Sequence, residues 1–259
     1  MTTPSALGTI ATALRQHDPD RFFTALFAPE AKREALFALY AFNHELARAR
    51  EAVSEPHLAL IRLHWWREVI QGMAKRHPVA EAIVAALSDG TIDAADLLAL
   101  IDAREIEADR AIASLPAWRA YVLGTAGGLA VAAGQLLGAS EPEGLRSLGA
   151  AYGVVGILRA VPALARHGRC LLPEDVLGAH GLSPEAVVSG ADPTGAMAEL
   201  ARMGRDFLRP IVLPRASVAA ALPAVLAKRD LRRLPMASGP RGLGDRLAVT
   251  WAGLTGRIG

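Results

Sequence analysis

Residues 29–68, PEAKREALFALYAFNHELARAREAVSEPHLALIRLHWWRE, decide how the chain is read. At helical spacing Leu36, Leu39 or Tyr40, Asn43, Ala47 and Glu51 recur every three or four residues, so they share one helix face that begins apolar and ends polar. Pro29 suits a first turn, where its missing N–H costs nothing, and Glu30 complements the positive end of the helix dipole. A helix is therefore predicted from 29 to about 52. Ser54-Glu55-Pro56 interrupts it, because the residue before a proline is pushed out of the helical region, and Ser54 is the expected cap of the next helix. That helix, 56–76, is expected to bury Leu60, Leu63, Trp66 and Val69 or Ile70, and His77-Pro78 ends it.

Working outward, the same logic yields helices throughout. A short one is expected over 3–17, and Phe22, Phe23, Leu26 and Phe27 are expected on the buried side of 20–27. Further helices are predicted over 78–88 and 93–114, then over the Gly-rich 117–138, and over 144–165. Beyond the loop at 166–169 come 171–181, 183–190, 194–212, 214–229 and 242–255. The apolar share of 52% consists mainly of Ala and Leu, with few of the β-branched and aromatic residues that strands favour. No strand, repeat or long polar linker is visible, so the 259 residues are read as one all-α domain of ten or so helices.

Charge and cysteine content exclude several function classes. Net charge is +2 and the basic residues are almost all arginines scattered along helices, which leaves no nucleic-acid footprint. One cysteine, Cys170, rules out an internal disulfide framework and a thiolate metal cluster, and suits a reducing compartment. The first twenty residues lack the basic and continuous apolar regions of a secretory signal, so no export is expected. The uncharged run 120–139 is long enough to span a bilayer and carries a Gly124-x-x-x-Gly128 spacing. Being Gly- and Ala-rich among other apolar helices, it is read as a core helix, and no transmembrane span is expected. Gly124 and Gly128 are expected where another element approaches closely.

Asp102, Glu105 and Asp109 form one acidic row, open either to a solvated helix face or to a metal site. His64 and Cys170 read as packing residues. Arg159, in an apolar helix, needs a partner, for which Glu51 is the candidate. Arg48, Arg50, Arg159, Arg166 and Arg169 are open to a second reading as a basic mouth for an anionic ligand.

Leu39-Tyr40-Ala41-Phe42, Leu63-x-Trp65-Trp66-Arg67-Glu68, Gly124-Thr125-Ala126-Gly127 and the run from Ile157-Leu158-Arg159 to Gly168-Arg169-Cys170-Leu171-Leu172-Pro173 resemble the squalene/phytoene synthase family, over nearly the whole length. The resemblance implies the all-α isoprenoid-synthase (terpenoid synthase) fold, with helices around an apolar cavity. It also implies two aspartate-rich motifs that hold magnesium against a prenyl diphosphate, whose leaving-group charge must be neutralised. Laid on this chain, the first motif falls on Ala47, Arg48, Ala49, Arg50 and Glu51, and the second on Gly156, Arg159, Ala160, Ala163 and Leu164. Residues 156, 160 and 164 make one helical stripe, 47 and 51 the stripe facing it, and one carboxylate among them is too few for hard cations. No metal, cofactor or catalytic residue is therefore expected. Tyr40, Asn43, Glu45, Glu51, Tyr152 and Arg159 are the candidates for lining a cavity or touching a ligand.

The runs Phe42-Asn43-His44-Glu45-Leu46-Ala47, Val53-Ser54-Glu55 and Leu100-Ile101-Asp102-Ala103-Arg104-Glu105, with Pro162, are similar to the branch of complex I assembly factors regarded as noncatalytic. That branch implies complex I subunits or other assembly factors as partners, and a cytoplasmic place, peripheral at the inner membrane face. A prenyltransferase with an unusual metal site and an isoprenoid or lipid carrier stand as alternatives.

Overall fold

A computed structural model describes residues 6–51, 53, 55–233 and 241–258, which are helical with no strand among them. The helices are α1 (Ala6–His17), α2 (Pro19–Ala25), α3 (Glu30–Glu51), α4 (Pro56–Ile70), α5 (Pro78–Ser88), α6 (Ala94–Arg104) and α7 (Leu115–Val122), followed by α8 (Gly128–Leu137), α9 (Leu145–Arg166), α10 (Glu174–Ala179), α11 (Pro184–Val188), α12 (Thr194–Asp206), α13 (Val218–Asp230) and α14 (Leu243–Thr255). α3 and α9, each 22 residues long, set the polar end of one across a cavity from the small-residue face of the other.

Local chemistry explains most boundaries. α4, α5, α7 and α11 carry proline in their first turn, and Asp93 accepts from the Ala95 N–H at the start of α6. Gly138 and Gly256 end α8 and α14 in the left-handed conformation that a side chain resists. The expected cap Ser54, the helix end near Ala52 and residues 3–5 lie outside the described residues. Several helices stop short of their expected ends. α4 closes at Ile70, where Gly72 takes a positive φ, and α12 closes at Asp206 before Pro210. Leu60 is 42% exposed, and so is Leu26; α2 turns Thr24 and Ala25 inward instead, with its phenylalanines half-buried.

The Gly-rich helix departs from a regular α-helix. Between α7 and α8 the backbone widens into a π-turn, Leu123–Gly127, in which Thr125 donates to the Tyr121 carbonyl at 2.7 Å. Leu115–Leu137 and Pro142–Arg166 are long and apolar enough to cross a membrane, yet they pack on each other in the core. Small residues make that crossing possible. A Cβ at Gly127 would stand 2.7 Å from the Arg146 carbonyl oxygen. One at Gly149 would overlap the Ala126 carbonyl and come within 2.6 Å of Ala130 Cβ. Gly124 faces Ala103 and Gly128 faces Leu100, so both sit at close approaches as expected, although the tightest approach to backbone is at Gly149.

A pair of substitutions on α9 tests this account. Gly149→Ala is expected to destabilise by about 1–3 kcal/mol despite its gain in helix propensity, because the methyl meets backbone that cannot move aside. Gly156→Ala meets nothing within 4 Å and is expected to stabilise by about 0.5–1 kcal/mol. Equal shifts of the melting temperature in the two variants would contradict the packing described.

Candidate functional site: a cavity between α3 and α9

Asn43, His44, Ala47 and Glu51 project from α3, and Tyr152, Gly153, Gly156, Ala160 and Leu164 from α9, onto a chamber of about 250 Å³. The two stripes read from spacing therefore do face one another. A wider vestibule of about 540 Å³ shares Glu51, Ala160, Leu164 and Arg169 with the chamber and adds Arg48, Arg50 and His167. Its rim is cationic. Burial and the nearby Arg169 charge lower the Arg50 pKa, as expected where like charges converge.

The chamber floor holds a buried ion cluster. Glu107 accepts from Arg104 Nη1 at 2.6 Å and from the Tyr121 hydroxyl at 2.7 Å, while Arg169 Nη2 reaches its other oxygen at 3.3 Å. Arg104 Nη2 also donates to Asn43 Oδ1 at 3.3 Å. Burial and the adjoining Glu107 charge hold the Tyr121 pKa well above the usual tyrosine value, so its hydroxyl remains a donor. Glu107 lies in a short 3₁₀ turn, Glu105–Ala108, that follows α6. Its signal in the sequence is the buried stripe Leu97, Leu100, Ile101, which continues at helical spacing into Arg104 and Glu107. Charged residues that prolong an apolar stripe signal a buried pair.

At the other wall, Asp18 bonds Arg21 at 2.8 Å, and the Arg21 guanidinium lies 4.9 Å from the Tyr152 ring centre. The Tyr152 hydroxyl donates to Asp20 at 3.1 Å. His44 stacks on His17 at 5.0 Å, and burial, reinforced by His17, lowers its pKa and keeps the ring neutral.

Several sequence expectations need correction. Arg159 pairs with Asp230 at 3.6 Å rather than with Glu51, because α13 packs against that side of α9. Arg159 and Arg166 thus lie off the cationic rim, which Arg48, Arg50 and Arg169 form. Glu45 turns along α3 to Arg48 at 3.8 Å and does not line the chamber. Of the two readings open for the acidic row, the structure favours the solvated face: Asp102 and Glu105 both pair with Arg67 of α4 and are largely exposed, and Asp109 borders a surface hollow next to the chamber. Tyr40 sits behind the chamber in a tight space with Arg21 and Tyr152. His64 is exposed beside Glu68, and burial raises the pKa of the Cys170 thiol.

The sequence model of the squalene/phytoene synthases matches residues 14–252. The chain belongs to the squalene/phytoene synthase family. Its fold is shared with solved structures. A dehydrosqualene synthase superposes with a TM-score of 0.77 at 14% identity over 96% of this chain and 95% of that one. Squalene synthase HpnC from Alicyclobacillus acidocaldarius gives 0.63 at 15% identity, over 97% and 94%. At these identities the likeness establishes the all-α isoprenoid-synthase fold. Among curated relatives, complex I assembly factor 6 of Homo sapiens is 28% identical over 193 residues, 70% of this chain and 58% of that protein. The Mus musculus protein is 30% identical over 66% and 54%, and phytoene synthase 3 of Zea mays is 28% identical over 64% and 42%. The chain thus spans about half the length of the curated relatives it matches.

The family fold implies magnesium at this cavity, so the donor set decides whether this member suits it. Hard divalent ions take several oxygen ligands. In the chamber Asp18 is held by Arg21, and Glu107 by two arginines and a tyrosine, which leaves Glu51. Among the described residues no group of three or more His, Cys, Asp or Glu side chains is placed to share an ion. These residues do not fit a magnesium cluster.

Proposed function

We propose that this family member acts in the assembly of respiratory complex I at a membrane face, through protein contacts, and does not condense prenyl diphosphates. The observation that carries the reading is the pair of facing stripes. Where the family resemblance puts metal-binding carboxylates, this cavity has Ala47, Gly156, Ala160 and Leu164, and the charges added at its rim are arginines. Several curated relatives that bear the name complex I assembly factor 6 support the direction of the proposal. The cavity has its own use in this reading. Arg48, Arg50 and Arg169 above an apolar α9 wall favour a second role, holding an anionic isoprenoid or lipid without metal.

Deleting the gene in its own host is expected to lower assembled complex I, measured by native gels and NADH:quinone activity, while carotenoids, hopanoids and squalene persist. A complementing copy with Asn43→Ala probes the matched α3 run. Normal complex I together with missing polyprenyl products would return the protein to the synthases.

A further inference from the structure

We infer that the outer face of α14 is a docking surface for an anionic lipid bilayer. α14 has two faces. Asp245, Val249 and Ala252 are buried against the rest of the protein, with Val249 packed in a cluster with Leu222 and Leu226 of α13. On the opposite side Leu243, Leu247, Trp251 and Leu254 recur at intervals of four, four and three residues and are 74%, 59%, 67% and 58% exposed. Successive side chains at this spacing stand on one helix face, so they form a continuous apolar ridge about 16 Å long. Isolated exposed leucines are ordinary, but an aligned row of four large apolar groups with a tryptophan among them marks an interaction surface.

The charges around the ridge select the occupant. From residue 228 to the end of the described chain the acidic residues are Asp230 and Asp245, both buried and both neutralised by arginines: Asp230 by Arg159 and Arg241, and Asp245 by Arg229 and Arg233. On Asp245, burial is outweighed by the Arg229 bond and the arginine charges, so it remains ionised. Apart from Arg233, which pairs with Asp245, the exposed charges of this segment are Arg232, Arg246 and Arg257, all positive. A leucine and tryptophan ridge edged by arginines suits the boundary between headgroups and acyl chains of an anionic membrane, where apolar burial and attraction to lipid charge act together. A protein partner of ordinary composition would offer no reason for the segment to be free of exposed acids.

The surface deepens the membrane-face part of the proposed function without depending on the assembly role. Full-length protein is mixed with vesicles of phosphatidylcholine alone or with phosphatidylglycerol added, and partition is read by sedimentation and by the fluorescence of Trp251. The other tryptophans change little, since Trp66 and Trp118 are buried and Trp65 is half-buried against Trp66. Binding is expected to the anionic vesicles, with a blue shift, and to weaken with salt. The double variant Leu247→Ser, Trp251→Ser is expected to bind about tenfold more weakly or worse, and Arg246→Glu with Arg257→Glu to lose the preference for phosphatidylglycerol. All four side chains are exposed, so an unchanged circular-dichroism melt is expected, and the charge-reversal pair reports independently if the serine pair unfolds.

Equal binding to neutral vesicles, no binding to either, or native-like binding by the serine variant would overturn the inference. So would a dimer of the native chain that the serine variant abolishes, since that would make a second copy the occupant. Vesicle binding with normal complex I in the deletion strain would retain this surface and remove the assembly role.

Discussion

Replacing Glu107 by alanine is expected to lower stability by about 3–5 kcal/mol, because it leaves Arg104 and Arg169 buried without their shared counter-charge. The carboxylate is 6% exposed, and the two guanidinium side chains are 13% and 11% exposed, so little solvent reaches the arginines to replace its charge. The Tyr121 hydroxyl loses its acceptor in the same step. In a chain of this size each kcal/mol moves the melting temperature by about 2–4 °C, so a fall of about 10 °C is the central expectation. Glu107→Gln keeps the shape and an acceptor oxygen but not the charge, and its loss is expected to be smaller. A Glu107→Ala protein that melts within about 2 °C of the native one would mean that the two arginines are solvated, and that the cluster does not hold α6, α7 and the Arg169 loop together.

How far the sequence reached can be judged from particular residues. The stripes at 47 and 51 and at 156, 160 and 164 were legible because both lie within uninterrupted 22-residue helices, where a fixed period carries a residue's direction along its whole length. Direction fails where the period changes. The acidic row requires a regular helix to residue 114, but the helix tightens after Arg104, Asp102 and Glu105 find Arg67, and Asp109 leaves the row. The π-turn at Leu123–Gly127 was equally hidden, and the second helix that approaches it closely is announced by no local pattern. Arg159 shows a third limit. Its need for a partner followed from burial, but that partner, Asp230, lies far along the chain on a helix whose packing side periodicity does not fix.

Offered farnesyl or geranylgeranyl diphosphate with magnesium, the purified protein is expected to release no pyrophosphate above a control without protein. Ionising an allylic diphosphate places negative charge on the leaving group, and metal ions in this fold family would supply several kcal/mol against it. Each 1.36 kcal/mol is a factor of ten, so a cavity that cannot assemble the ions is slower by roughly three or more orders of magnitude. The carboxylates within reach cannot be recruited cheaply. Glu107 would have to leave two arginines and a tyrosine, Asp18 would have to leave Arg21, and Glu51 alone does not clamp a diphosphate. Arg48, Arg50 and Arg169 can attract the diphosphate to the rim, and weak binding of a prenyl diphosphate without turnover is consistent with the same geometry. Binding and chemistry therefore separate in this assay. Pyrophosphate release that requires magnesium and disappears in Glu51→Ala would show that a functional ion site forms around that residue, and would overturn the noncatalytic reading.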